Sequence, residues 1–399
     1  MAGQHNDGKL SRMFKSSFLY KTIDTVSIFQ VFILVIIAAK IVRWTVMYGN
    51  QVVCGIGHFW LEDIYNGNVA IELFSAEDGA GNVSAGGNAL YVFWKLNIFH
   101  LYDYADWEIY ISILTNIIVL LVLTQLKQVL RIYQWLLVTM TIAVLNIFSF
   151  CLSKEPIQMC YFLLIFLILN TKWDYKYKCI GIYACILFSC MTFRTYYILI
   201  LMFMIASQCG CNWILKRVNG IGKSIIVFII GITLFCFVFF SCASAFSPEN
   251  YESIYNARVH TRSIEMANTG IKNWLPTDNV FMFTLNWITV VLRLVLPLEL
   301  LPMGPKYWLF VVYQFIITIF VVQALKNLNR NSKNVNLALF VYLGFLLGSA
   351  TFEPDFGSWV RHESICFPIL FVMSDIIGVN KSYSMKYAAE TGRKRISYE

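Results

Sequence analysis

Long apolar runs separated by short polar breaks dominate the chain, and the lengths of the runs carry the first inference. A helix needs about 20 residues to cross the hydrocarbon of a bilayer. Val26–Met47, Ile109–Leu126, Ile132–Leu152, Ser224–Cys242, Tyr307–Leu325 and Val335–Phe352 come near that length, and the shorter Ile157–Asn170 and Ile365–Gly378 are read as spans with them. Cys179–Gln208 reads as a hairpin of two further spans turning at Phe193-Arg194-Thr195. Val26–Met47 lacks the short core and small-residue cleavage site of a signal peptide, so it reads as a retained first span. The pattern predicts an all-α, polytopic integral membrane protein of about ten transmembrane helices, forming one domain over residues 1–399.

Two stretches break this rhythm by being polar, Gly49–Glu108 and Ala243–Asp278, and one by being ambiguous. Asn279–Leu301 is apolar but carries Arg293, Pro297 and Glu299. If it crosses the membrane, Lys326, Arg330, Lys333 and the basic tail lie outside, against the tendency of Lys and Arg to remain cytoplasmic. If it is re-entrant or interfacial, most Lys and Arg fall on one side. The reading is therefore a partial insertion, both termini and the tail 379–399 cytoplasmic, and loops 49–108 and 243–278 outside.

Composition agrees and removes other classes. Of the 399 residues, 58% are hydrophobic and 14% charged, too apolar for an ordinary water-soluble fold. The net charge of +8 is strung between apolar runs rather than clustered with stacking aromatics, so no nucleic acid is implied. The eleven cysteines fall mostly inside apolar runs, where Cys acts as a small hydrophobe, and Cys209-Gly-Cys211 is too close and isolated for zinc. No cofactor and no metal is expected, although Glu353-x-Asp355 offers two carboxylates.

Candidate chemistry concentrates in Thr351–Ser364, which packs Glu353, Asp355, Arg361, His362 and Glu363 between apolar runs. Ionisable groups at this density beside a bilayer are costly and mark a working site. On the topology above, the turn with Lys154 and Glu155 and the turn with Arg194 and Tyr197 share its outer side, as do Glu62, Asp63, Tyr251, Tyr255, Arg258, His260 and Arg262. Guanidinium grips phosphate in a bidentate fashion, and a nearby carboxylate can accept a proton from an attacking hydroxyl. Lys40 and Arg43, near the outer end of the first span, read as interface markers.

The spans broken by FSFCLSKEPIQM, TFRTYYILI and FEPDFGSWVRHES resemble bacterial polysaccharide polymerases of the Wzy and EpsG kind, themselves similar to GT-C lipid-dependent glycosyltransferases. The resemblance implies an enzyme of the bacterial inner membrane that polymerises polyprenyl-pyrophosphate-linked oligosaccharide repeat units into O-antigen, capsule or exopolysaccharide at the outer face. A chain-length regulator and a flippase would be its partners. It implies Asp355 or Glu155 as the base, and Lys154, Arg194, Tyr197, Arg361, His362 and Glu363 around pyrophosphate and sugar. Glu62-Asp63 is the best match to the acidic residue of the first outer loop in the GT-C group, without a clear DxD. The alternative is a flippase for the same lipid-linked sugar, which would carry midplane ionisable groups or paired broken helices in two repeated halves. Neither feature is legible in the sequence. A membrane acyltransferase would place a His deep in a span, and none maps there.

A cysteine placed at Asn331 in a Cys-free background is expected to stay unlabelled by an impermeant reagent added outside; labelling there would mean that Asn279–Leu301 spans.

Overall fold

A computed structural model describes residues 25–44, 77–78, 82–83, 92–102, 104–124, 132–151, 153–217, 221–259 and 268–375. Glu62, Asp63, His260, Arg262 and the tail 379–399 lie outside the described residues. Helices dominate; the exception is a two-residue antiparallel pair, β1 (Glu77–Asp78) with β2 (Asn82–Val83). Five helical stretches among the described residues are long and apolar enough to cross a membrane: Ala105–Thr124, Ile132–Ser149, Tyr197–Ile214, Ile226–Phe246 and Trp308–Lys326. The chain divides into two compact units, Met1–Asn68 with Phe93–Pro156, and Val69–Val92 with Ile157–Glu399.

The first unit contains α1 (Thr25–Arg43), α2 (Tyr104–Thr124) and α3 (Ile132–Val144), which runs into a π-helical turn at Leu145–Ser149. α2 starts at Tyr104, so Glu108 belongs to a helix and not to the polar loop expected to end there. Its buried carboxylate receives Arg43 Nε, with Lys40 Nζ at 3.4 Å. The same two cations reach backbone carbonyls, Lys40 that of Phe150 at 3.0 Å and Arg43 that of Ile147 at 2.6 Å. They thus cross-link the end of α1 to α2 and α3 rather than merely marking an interface. Deeper in the unit, Asn116 and Asn146 exchange amide hydrogen bonds at 2.9 and 3.1 Å, which satisfies two polar side chains in an apolar setting.

The second unit runs through α4 (Glu155–Asn170, whose first residues belong to the first unit), α5 (Tyr175–Thr192), α6 (Tyr197–Arg217), α7 (Ile221–Phe246) and α8 (Pro248–Val259). It continues with α9 (Val280–Val295), α10 (Trp308–Lys326), α11 (Lys333–Ser349), α12 (Phe356–Ser364) and α13 (Phe367–Met373). The hairpin falls where the apolar pattern puts it, with Phe193–Tyr196 as its turn. Within Asn279–Leu301 the helix is only 16 residues long, about 24 Å at 1.5 Å per residue, and short 3₁₀ turns at Leu298–Met303 and Pro305–Tyr307 follow it. Asn279 caps it by accepting from Met282 N at 2.9 Å.

α11 is the centre of this unit, buried along almost its whole length. Two glycines one turn apart, Gly344 and Gly348, bring it against α6: a Cβ on Gly344 would stand 2.5 Å from the Ile200 carbonyl and 2.9 Å from Met204 N. Small residues at this spacing let helix backbones meet in lipid, where dispersion and not water exclusion drives association. α7 shows the opposite surface. Ile226, Ile229, Ile230, Leu234 and Val238 are all at least half exposed while Ile232, Cys236 and Phe240 are buried. An apolar stripe of that length would promote aggregation in water and is matched by acyl chains.

Gly344→Ala is expected to destabilise the protein by roughly 1–3 kcal/mol, because the new methyl meets backbone that cannot rotate away. Gly231→Ala on α7, where a Cβ meets nothing within 4 Å, is the control. Thermal unfolding in detergent should separate the two, and equal melting temperatures would refute the close helix contact.

Candidate functional site

The stretch Thr351–Ser364 was expected to be a polar outer loop, and most of it is instead a buried helix. α12 begins where Asp355 caps it, the carboxylate Oδ1 accepting from Ser358 N at 2.9 Å. Asp355 also pairs through its backbone with Gly270: Ile271 N donates to the Pro354 carbonyl at 2.9 Å and Phe356 N to that of Thr269 at 3.1 Å. A Cβ at Gly357 would lie 3.1 Å from Asp355 Oδ1, so glycine there leaves room for the capping carboxylate. From this end α12 runs inward along α10 and α11. Trp359 stacks on Phe345 with centroids 5.8 Å apart, and its indole N–H donates to Gln314 Oε1 at 2.9 Å.

Glu353, expected as a member of the ionisable cluster but given no role of its own beyond half of a carboxylate pair, is the hub of this end of α11. Its buried carboxylate hydrogen-bonds His362 Nδ1. Burial alone would push Glu353 up; the bonded His362, with Ser358 and Arg194, together outweigh it, and the carboxyl stays below its ordinary range. Arg194 reaches this neighbourhood from the turn between α5 and α6. Its guanidinium bonds the Tyr196 hydroxyl at 2.6 Å and lies 5.5 Å from the centre of the Phe193 ring, while Tyr196 packs on Phe352 at 5.0 Å.

A second arginine, Arg258 at the end of α8, holds the loop from below. It donates to the carbonyls of Glu353, at 2.7 Å, and of Ile271, and to Asn273 Oδ1 at 3.2 Å. Burial pushes it down to about 10, with Arg293 repelling it and Glu353 offsetting part of the effect, so it remains charged at neutral pH. Arg293 makes a forked ion pair with Glu299, at 2.7 to 3.2 Å, and lies 4.6 Å from the Trp274 ring. Both arginines are occupied in shaping the loop. Their role was hidden because each also donates to a carbonyl of the loop 268–278, Arg258 to that of Ile271 and Arg293 to that of Lys272.

The expected site residues therefore separate. Arg194 and His362 gather around Glu353 at one end of α11, Asp355 caps α12 two residues on, and Arg361 is on the partly exposed side of α12, one turn beyond Gly357. Tyr197 and Glu363 point elsewhere: Tyr197 is buried at the start of α6, and Glu363 is fully buried against Gln314 and Tyr342. Lys154 and Glu155 belong to the first unit, Glu155 buried and Lys154 half-buried. Among the described residues no three His, Cys, Asp or Glu side chains converge as metal ligands. Compared with protein-family models, curated proteins and solved structures, the chain matches none.

A carboxyl held low in the folded state stabilises it above the unfolded pKa, and that stabilisation is lost as pH falls through the folded value. This end of α11 should accordingly loosen in acid, below the ordinary carboxylate value of 4.5. Glu353→Gln is expected to flatten the acid limb of a thermal-stability profile, and an acid limb identical to that of the unaltered chain would show that Glu353 has no such role.

Proposed function

We propose that the chain is a glycosyltransferase that polymerises polyprenyl-pyrophosphate-linked oligosaccharide repeat units into a surface polysaccharide, at the outer face of a bacterial inner membrane. The topology belonging to this reading has ten spans, both termini cytoplasmic and Asn279–Leu301 partially inserted. One observation supports it above others. A carboxylate–imidazole pair, Glu353–His362, stands beside the guanidinium of Arg194 at the end of an apolar helix bundle.

That grouping suits transfer from a sugar pyrophosphate. The acceptor hydroxyl oxygen bonds to the anomeric carbon and gives up its proton, while the bond from that carbon to the phosphate oxygen breaks and the pyrophosphate leaves with the electron pair. Arg194 and Arg361 supply fixed positive charge where the negative charge develops, the largest contribution such a site can make. His362, oriented through Nδ1 by Glu353, is a proton acceptor built like other carboxylate-backed histidines. Asp355 is the alternative base, but its Oδ1 is engaged as a helix cap, which gives it a structural duty as well.

The second reading, a flippase for the same lipid-linked sugar, is favoured by a different observation. α12 and α13 form a helical run interrupted at Ile365–Cys366, with the carboxyl of Glu363 buried just before the break. An interrupted helix with an embedded ionisable group is a common feature of transporters.

Polymer formed from purified lipid-linked repeat units separates the readings. Arg361→Lys should fall nearly as far as Arg361→Ala, roughly 100- to 1000-fold, because an ammonium keeps the charge but loses the fork. Asp355→Asn should lose less than His362→Gln if His362 is the base, and the reverse order would return the role to Asp355. Unaltered protein that forms no polymer yet moves the lipid-linked unit across vesicles would replace the polymerase with the flippase.

A further inference from the structure

Glu363 is the one ionisable residue of α12 that the outer cluster does not use. It follows His362 directly, yet the two side chains part: His362 meets Glu353, whereas Glu363 turns between α10 and α11. Its partners lie well inside the helices, Gln314 about two turns into α10 and Tyr342 about two turns before the end of α11. Both donate to one oxygen, Gln314 Nε2 to Oε1 at 3.0 Å and the Tyr342 hydroxyl to the same atom. The other oxygen, Oε2, is buried and has no hydrogen-bond partner. The titratable neighbours are Tyr342 from α11, Tyr313 beside it from α10, and Cys366 at the break after α12. None is a cation, and Glu363 makes no ion pair among the described residues.

A carboxylate in this position would leave a full charge in an apolar interior with donors on one oxygen only, a far costlier arrangement than the neutral acid. We propose that Glu363 is a proton-binding site embedded in the helical core, and that the bound proton holds α12 against α10 and α11. The ligand is the proton itself, taken up on Oε2. Loss of that proton leaves an uncompensated anion that must be hydrated or withdrawn, and either change displaces the segment that also carries His362. This inference does not rest on which reaction the outer cluster performs.

Infrared spectra of the full chain in lipid nanodiscs read the protonated acid directly. At neutral pH the unaltered protein should show a carboxylic-acid C=O band that Glu363→Gln removes. Tyr342→Phe, which takes a donor away from the anion, should move the disappearance of that band to higher pH. No such band at neutral pH, or a band that Glu363→Gln leaves in place, overturns the proposal. If Glu363→Gln does not accumulate, Tyr342→Phe decides alone, and an unmoved midpoint overturns it.

Stability gives a second readout. A carboxyl that keeps its proton on folding stabilises the native state below the unfolded pKa, and that contribution fades as pH rises through the folded value. The melting temperature should therefore decline as pH rises from the ordinary carboxylate value of 4.5 to about 8 in the unaltered protein, and less steeply in Glu363→Gln. Parallel slopes would refute the role of the proton in holding α12.

Discussion

The contact between Glu353 and His362 joins the end of α11 to the helix that folds back beside it, and the arrangement of the charged cluster follows from that contact. A buried carboxylate without a partner is costly; with His362 on its side chain and Arg258 on its backbone carbonyl, Glu353 becomes the point where α8, α11 and α12 meet. The strand-like pairing of Thr269–Ile271 with Pro354–Phe356 then closes the loop over it. Asp355, capping α12 in the same stretch, determines where the helix starts and hence the angle from which His362 approaches.

Two consecutive residues on one short helix carry opposite electrostatics. His362 faces the Glu353 carboxylate at the end of α11. Glu363, one residue on, faces two neutral donors in the interior, where burial favours the neutral form. A helix places successive side chains about 100° apart, so this division needs only that α12 lie between a polar end and an apolar core. One rigid element can then couple events at the Glu353–His362 cluster to protonation of Glu363, since neither side chain can move far without the other.

The packing that holds α12 in place depends on α11, and α11 depends on two absent side chains. Gly344 and Gly348 let it approach α6 so closely that larger residues would meet backbone. That approach also brings the turn carrying Arg194 up to Phe352, through Tyr196. Close helix contact and the composition of the charged cluster are therefore linked: widening one separates the charged groups of the other.

The apolar runs determined helicity, the approximate ends of most helices and the turn at Phe193–Tyr196, because a helix long enough for a bilayer has a distinctive length and composition. The concentration of ionisable residues in Thr351–Ser364 was equally legible, as a departure from that composition. Which of those groups meet was decided by tertiary structure. The spacing of Glu353 and His362 does not announce a pair, since Glu353 lies before the helix and only the cap at Asp355 sets the geometry. Glu363 could be separated from its neighbours only by the helices on its far side, and Arg258 and Glu108 acquire their roles from residues distant in the chain. Local patterns record what each segment can bury; the partner of a buried charge depends on which segments arrive beside it.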